Sequence, residues 1–390
     1  MFIYNAPTKL FIDCEIIKLG EIIKSYGYKK VLFVYGGGSI KKSGLYDQVV
    51  KSLNEHEVEF IEEGGVEPNP KVSFVRSVLN KKHDIDFVLA VGGGSVIDTA
   101  KSIAVSYLSD NDPWDYNSGV ATPTKALPVG VILTHSAAGS EMSASTVLTN
   151  TDNNIKKGFL SELVRPKFAI MNPELTFTLP PYQTACGVVD IMMHTLERLI
   201  SGLSSMLAEE FAIGLLKTVV KNGNIAYNDP TNYEARKQIM LASSFSHNGL
   251  TNIGRGSLLR VHQFEHVISG FYDEVAHGAG LAVAWPAYSK YVYKNEKLLP
   301  IFARLAYELF DVEKTSNLEE DAYLGIIKME EYFKKLGMPT RMEDLNIPCS
   351  ELERFTNKLS KNKTSVINDV VSLEHDDMKE IFKLMYREVL

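Results

Sequence analysis

Cysteine is scarce in this chain: Cys14, Cys186 and Cys349 stand far apart among 390 residues. An odd, scattered set excludes a disulfide framework and a zinc knuckle, and it reads as the reduced thiols of a cytoplasmic protein. Long apolar runs are also missing. None approaches the ~18–20 residues a membrane-spanning helix needs, and the opening MFIYNAPTKLFID lacks the basic and apolar regions of a secretory signal. Positive charge is in deficit, with a formal net charge of −7. A nucleic-acid binder needs a basic face to displace counterions, so that partner is not expected. No low-complexity linker interrupts the chain. What remains is an ordinary globular composition, 45% hydrophobic and 23% charged. Its length suits two domains of roughly 150–200 residues.

The two halves differ in pattern. Up to Pro180-Pro181, short β-branched runs alternate with amphipathic stretches. Lys30–Tyr35, Val58–Ile61, Asp86–Val91, Val129–Leu133 and Phe168–Met171 read as strands. Helices are expected from about Ser43 to Glu55, Lys71 to Lys81 and Gly92–Ser95 onward to Ser106. Strands alternating with helices imply a parallel sheet with crossover helices, whose ligands bind at the carboxyl ends of the strands. Beyond about Gln183 the period becomes 3.6, as in Val188–Ser201, Met206–Val220 and Tyr323–Lys335. The fold class expected is therefore an α/β domain with a parallel sheet (1–184), followed by an all-helical domain (185–390).

Two turns repeat the same four residues. Gly36-Gly37-Gly38-Ser39 follows the first predicted strand, and Gly92-Gly93-Gly94-Ser95 follows the third. Glycines leading from a strand into a helix let backbone approach an anion, while the helix start offers N–H donors and a positive dipole end. The same residues also serve as plain tight connections, and neither turn is GxGxxG. Lys41 and Lys42 beside the first turn have the charge to neutralise an additional phosphate.

The helical half carries the more informative pattern. Asp190 and His194 are four residues apart on one predicted helix, so they share a face. His262 and His266 repeat that spacing, and His277 follows. A lone helical histidine is most often a hydrogen-bonded core or surface residue, and His56, His83, His247 and His375 read as surface ones. Two such pairs in one half point instead to a divalent metal, for which one carboxylate and several imidazoles are an ordinary ligand set.

In order along the chain, YNAPTKLF (Tyr4–Phe11), YGGGS (Tyr35–Ser39), Gly64–Pro70, GGGSVIDTAK (Gly92–Lys101), Gly139-Ser140-Glu141, Arg165–Pro180, Gly187–His194 and Tyr272–Pro286 resemble the iron-containing (group III) alcohol dehydrogenase family, in its butanol dehydrogenase-like, NADPH-using branch. The resemblance implies a hydride transfer between NADP(H), favoured over NAD(H), and a small alcohol or aldehyde. It implies Fe²⁺ or Zn²⁺ held by Asp190, His194, His262 and His277, with His266 beside the metal; His266, or a water chain through the cofactor ribose, is the expected proton carrier. It places Gly93, Gly94, Ser95 and Asp98 at the cofactor pyrophosphate, Gly37, Gly38 and Ser39 at the adenosine ribose, and Thr134 and Lys157 nearer the nicotinamide. A polyol or hydroxy-acid dehydrogenase on the same scaffold, or a non-catalytic cofactor-binding relative, is the alternative reading. Leu259-Arg260-Val261, Ala138 and an additional residue near Glu274 depart from the family pattern. A homodimer is expected from the prevalence of twofold assemblies.

Overall fold

The computed structural model describes residues 4–201, 203–255, 258–368 and 370–387. Among these residues eight strands form: β1 (Lys9–Ile12), β2 (Lys30–Tyr35), β3 (Glu59–Glu63), β4 (Phe87–Gly92), β5 (Val129–Leu133), β6 (Ser145–Asn150), β7 (Ile155–Leu160) and β8 (Phe168–Met171). Six make one parallel sheet in the order β1-β8-β5-β4-β2-β3.

The sheet's central strands are near-continuous apolar runs because helices cover both faces. Alternation along each strand divides the core in two. Leu32, Val34, Val88, Ala90, Val129 and Val131 face one cluster with Ile97, Ala100 and Ile103 of the helix Gly94–Ser106. Val31, Phe33, Phe87, Leu89, Val91 and Ile132 face the other, with Val49 and Leu53 of the helix Leu45–Glu55. The expected strands β2, β5 and β8 have the predicted bounds, and β3 and β4 lie within two residues of them. The first expected helix begins at Leu45 rather than Ser43, because Gly44 adopts φ 74, and a short helix, Ser39–Lys42, precedes it.

Two features escape the sequence patterns. The edge strand β1 pairs with β8 although it is only half-buried. An antiparallel hairpin, β6–β7, stands apart from the main sheet. Its lysine-rich second strand hides the alternation that marks a half-buried strand.

The described chain forms two compact units. One is Asn5–Leu179 together with Pro230–Asn248; the other contains Pro180–Asp229 and the residues from Gly249 onward. The helix Tyr233–His247 thus belongs to the sheet unit although it lies beyond residue 184. Met240 joins the core cluster on one sheet face, and the Ser243 and Ser244 hydroxyls hydrogen-bond to Gly139 N (as acceptor) and the Glu141 carboxylate (as donor).

The second unit is helical, its one isolated β-bridge among the described residues joining Ile367 and Leu373. The helix Pro181–Leu199 begins seven residues earlier than its apolar period suggests. Proline at the first helical position is preset for a helix and loses no internal hydrogen bond. From Thr184 onward every residue of this helix is buried, which is why its polar side chains must find partners within the fold. Among the described residues no helix is long and apolar enough to cross a membrane.

Candidate active site

In the helical unit three helices converge on one point. Pro181–Leu199 supplies Asp190 and His194 one turn apart, Arg260–Phe271 supplies His262 and His266, and His277 opens the helix His277–Val292. Asp190 Oδ1 is the hub: His194 Nδ1 lies 3.1 Å away, His262 Nε2 3.5 Å and His277 Nε2 3.8 Å. The rings of His194 and His262 are 4.5 Å apart, and those of His262 and His277 5.1 Å. Asp190, His194 and His262 have ligand atoms close enough together to share an ion, and so do Glu265, His266 and His277.

A cation fits this set. Ligand atoms about 2.0–2.2 Å from a tetrahedral ion stand about 3.4 Å from one another, and the three separations bracket that value. Asp190 Oδ1 and His262 Nε2 are buried and make no hydrogen bond among the described residues, an expensive condition unless something charged lies between them. His262 also faces carboxylates on both sides. Its Nδ1 hydrogen-bonds to Glu197 Oε1, and its Nε2 points at Asp190.

Protonation follows that geometry. Burial alone would lower the His262 pKa, but the charges of Glu197 and Asp190 outweigh it and raise it to about 9. Burial dominates at His194, which is pushed down to about 4 against the pull of Asp190. For Asp190, burial acts to raise the pKa, yet His194 and His277 hold it well below the usual carboxylate range. The hub is held as a carboxylate by the histidines around it. A divalent ion bound there would take over the positive charge that His262 otherwise has to carry.

His266 stands beside this group. Its ring is 5.7 Å from that of His277 and 6.2 Å from that of His262, and its side chain is 23% exposed against 4–5% for His194 and His262. The other histidines singled out as surface residues are half-buried and bonded elsewhere: His56 to Ser52 O, His83 to Glu63, His247 to Ala138 O and His375 to Ser360.

The remaining expected site residues are in the sheet unit. Gly93 caps the helix Gly94–Ser106 at the end of β4, and Thr134 follows β5, donating its N–H to Gly92 O. Gly37, Gly38 and Ser39 follow β2. These three segments occupy the carboxyl ends of adjacent strands, where the first N–H groups of the longer helix are left without intrahelical partners. A Cβ on Gly93 would lie 2.9 Å from His135 Cβ, whereas Gly37 and Gly38 face open space.

Asp98 and Lys157 are engaged internally. Asp98 accepts from Ser140 Oγ at 2.5 Å and from Val147 N at 2.9 Å, tying the helix to the hairpin. Lys157 is exposed on β7 and donates to Ser118 O. Lys101, which the motif reading passed over, is fully buried with its ammonium on Ser140 Oγ, Ser143 O and Ser145 O. Burial lowers its pKa to about 8 despite Asp98 and Glu141 nearby.

Two further acids were missed. Glu197 and Glu265 are both fully buried, one behind His262 and the other 2.5 Å from His277 Nδ1. Spacing held a signal for each: Glu197 is two helical turns from Asp190, and Glu265 is three residues after His262.

Comparisons with known proteins point to one family. Residues 7–173 match the family described as iron-containing alcohol dehydrogenase, and 184–386 match the C-terminal domain of the Fe-containing alcohol dehydrogenase family. The chain is 38% identical to NADH-dependent butanol dehydrogenase A of Clostridium acetobutylicum over 99% of both chains. It is 32% identical to the NADPH-dependent aldehyde reductase YqhD of Escherichia coli, over 99% of this chain and 98% of that one. The crystal structure of NADH-dependent butanol dehydrogenase A from Thermotoga maritima superposes with a TM-score of 0.94 at 38% identity, covering 99% of each chain. The chain therefore belongs to the iron-containing (group III) alcohol dehydrogenase family, and it is an oxidoreductase acting on CH–OH groups.

Proposed function

We propose that this protein interconverts short primary alcohols and aldehydes with NADP(H), using one divalent ion, Fe²⁺ or Zn²⁺, held by Asp190, His194, His262 and His277. The observation that carries the reading is Asp190 Oδ1, buried without a hydrogen bond and ringed by three imidazole nitrogens within 3.8 Å. Bound there, a divalent ion supplies Lewis acidity toward a substrate oxygen, while the nicotinamide carries the hydride. Asp190 contributes the charge that retains the ion, and the buried imidazoles exclude water from it. His266, the most open of the pair on its helix, takes up and returns the proton at Nε2.

The sheet unit is the cofactor side of this reading. Backbone N–H groups at Gly94 and Ser95 bind pyrophosphate, with Gly93 and Thr134 shaping the approach and Asp98 holding the hairpin in place. Lys157 lies at the exposed margin. NADP(H) is favoured because Gly36–Ser39 holds no acid to repel a 2′-phosphate. Lys41 stands nearby with its Nζ 4.7 Å from the Tyr46 ring centroid and 5.4 Å from that of Tyr35. The acid touching that corner, Glu62, accepts from both tyrosine hydroxyls. The relatives are named for both NADH and NADPH, so the preference rests on these residues. Three free cysteines suit a reducing cytoplasm, and a homodimer is the proposed assembly.

Purified protein loaded with Fe²⁺ or Zn²⁺ is expected to consume NADPH with butanal, followed by the absorbance of the reduced nicotinamide. Absence of turnover with every short aldehyde and alcohol, on protein shown to hold metal, refutes the substrate assignment. His262→Ala is expected to lose both metal and activity; retained metal refutes the ligand assignment.

A further inference from the structure

The two buried acids behind the imidazoles do more than fill the core. We propose that Glu197 and Glu265 are positioning residues that lock His262 and His277 as Nδ1–H tautomers, so that each presents an unprotonated Nε2 to the ion. The proposal rests on the reading of Asp190, His194, His262 and His277 as a metal site.

Glu197 is immobilised from several directions. Its Oε1 takes the His262 Nδ1 hydrogen bond, and its Oε2 accepts from Val261 N at 2.5 Å. Val261 N–H lies in the first turn of the helix Arg260–Phe271, where backbone donors lack helical partners and the dipole favours an anion. Arg260, itself fully buried, donates from Nη1 to the Glu197 carbonyl oxygen at 3.2 Å. Arg260 and Val261 thus grip the acid that orients His262.

Glu265 repeats the arrangement one helix further on. Its Oε2 lies 2.5 Å from His277 Nδ1 and 4.0 Å from His266 Nε2, so it is committed to His277. Space for it comes from Gly280, where a Cβ would lie 2.8 Å from Glu265 Cγ. Two of the three ligand helices therefore each carry the acid that orients a histidine of the next. Pro181–Leu199 holds Asp190, His194 and Glu197, the last for His262; Arg260–Phe271 holds His262 and Glu265, the last for His277. A carboxylate accepting from Nδ1–H fixes the ring's rotation and leaves the Nε2 lone pair for a cation, while raising the basicity of that nitrogen.

The test uses the full-length protein and its Glu197→Gln and Glu265→Gln variants, which keep volume and one acceptor but remove the charge. Titration with Co²⁺, read by its visible absorption, and competition with Zn²⁺ are expected to show affinities roughly 10–100-fold weaker in each variant. The Co²⁺ bands are expected to shift, with the metal-free melting temperatures little changed. Affinities and spectra equal to wild type overturn the proposal. A wild-type protein that binds neither ion overturns the metal-site reading instead, a distinguishable result. Should a variant not fold, ¹⁵N-histidine spectra of Zn²⁺-loaded wild type decide. Two imidazoles protonated at Nδ1 support the proposal, and none so protonated overturns it.

Discussion

Gly278 approaches Cys186 so closely that a Cβ on it would lie 2.2 Å from the Cys186 carbonyl oxygen. Two helices meet there backbone to backbone. On one, Asp190 lies one turn past Cys186; on the other, His277 is the immediate neighbour of Gly278. The absence of a side chain at 278 thus sets the separation between two elements of the proposed metal site.

Gly278→Ala is therefore expected to force the helices apart, because the obstructing atom is backbone and has no rotamer to change. Overpacking of this kind costs roughly 1–3 kcal/mol. A lowered melting temperature together with weaker Zn²⁺ binding is the expected outcome. Wild-type values for both would show that the contact is easily relaxed.

Asp190→Asn removes the carboxylate that faces all three imidazoles. Adjacent unit charges attract by about 4 kcal/mol at an effective dielectric of 20, so metal affinity should fall on the order of 100-fold or more, and kcat/KM with it. Metal content by elemental analysis checks this. Full occupancy with undiminished kcat/KM would remove Asp190 from the ligand set.

Gly38→Asp introduces a negative charge into open space, where its Cβ meets nothing within 4 Å. Repulsion of a 2′-phosphate is expected to cut kcat/KM for NADPH on the order of tenfold or more, with NADH little affected. An unchanged ratio of the two would place the 2′-phosphate away from this turn.

Glu330 predicts an acid-sensitive contact away from the site. Burial would raise its pKa, but hydrogen bonds from Lys290 and Lys334 and the charge of Arg341 hold it at about 2. All three cations lie within 2.9 Å of a side chain only 4% exposed. Because the folded pKa is depressed, the stabilisation is fully present above the ordinary value of 4.5 and is lost as pH falls through about 2. A shift of this size is worth about 2–3 kcal/mol once screening at the exposed end of Lys334 is allowed for. Melting of wild type and Glu330→Gln is expected to differ at pH 7 and converge toward pH 2–3. Parallel curves across that range would refute the assignment.

Much of this was legible from residue order because it depends on local periodicity. Apolar runs buried on both faces mark β2, β4, β5 and β8, and i,i+4 spacing puts Asp190 with His194 and His262 with His266 on shared helix faces. The GGGS turns mark strand-to-helix transitions for an equally local reason, their steric freedom. The hairpin β6–β7 was not legible, since Lys156 and Lys157 obscure its alternation.

Pairings across the fold belong to another category. Nothing in the order of residues says that Glu197 reaches a histidine 65 positions away, that Gly280 makes room for Glu265, or that Tyr233–His247 returns to the sheet unit. The sequence by itself determined the two architectures, the metal-type residue set and the glycine turns, because each depends on the geometry of a single strand, helix or turn. Only the tertiary structure decided which nitrogen of each imidazole faces Asp190 and which acid stands behind it. Those choices depend on how buried helices pack and on the need to satisfy every polar group they bury.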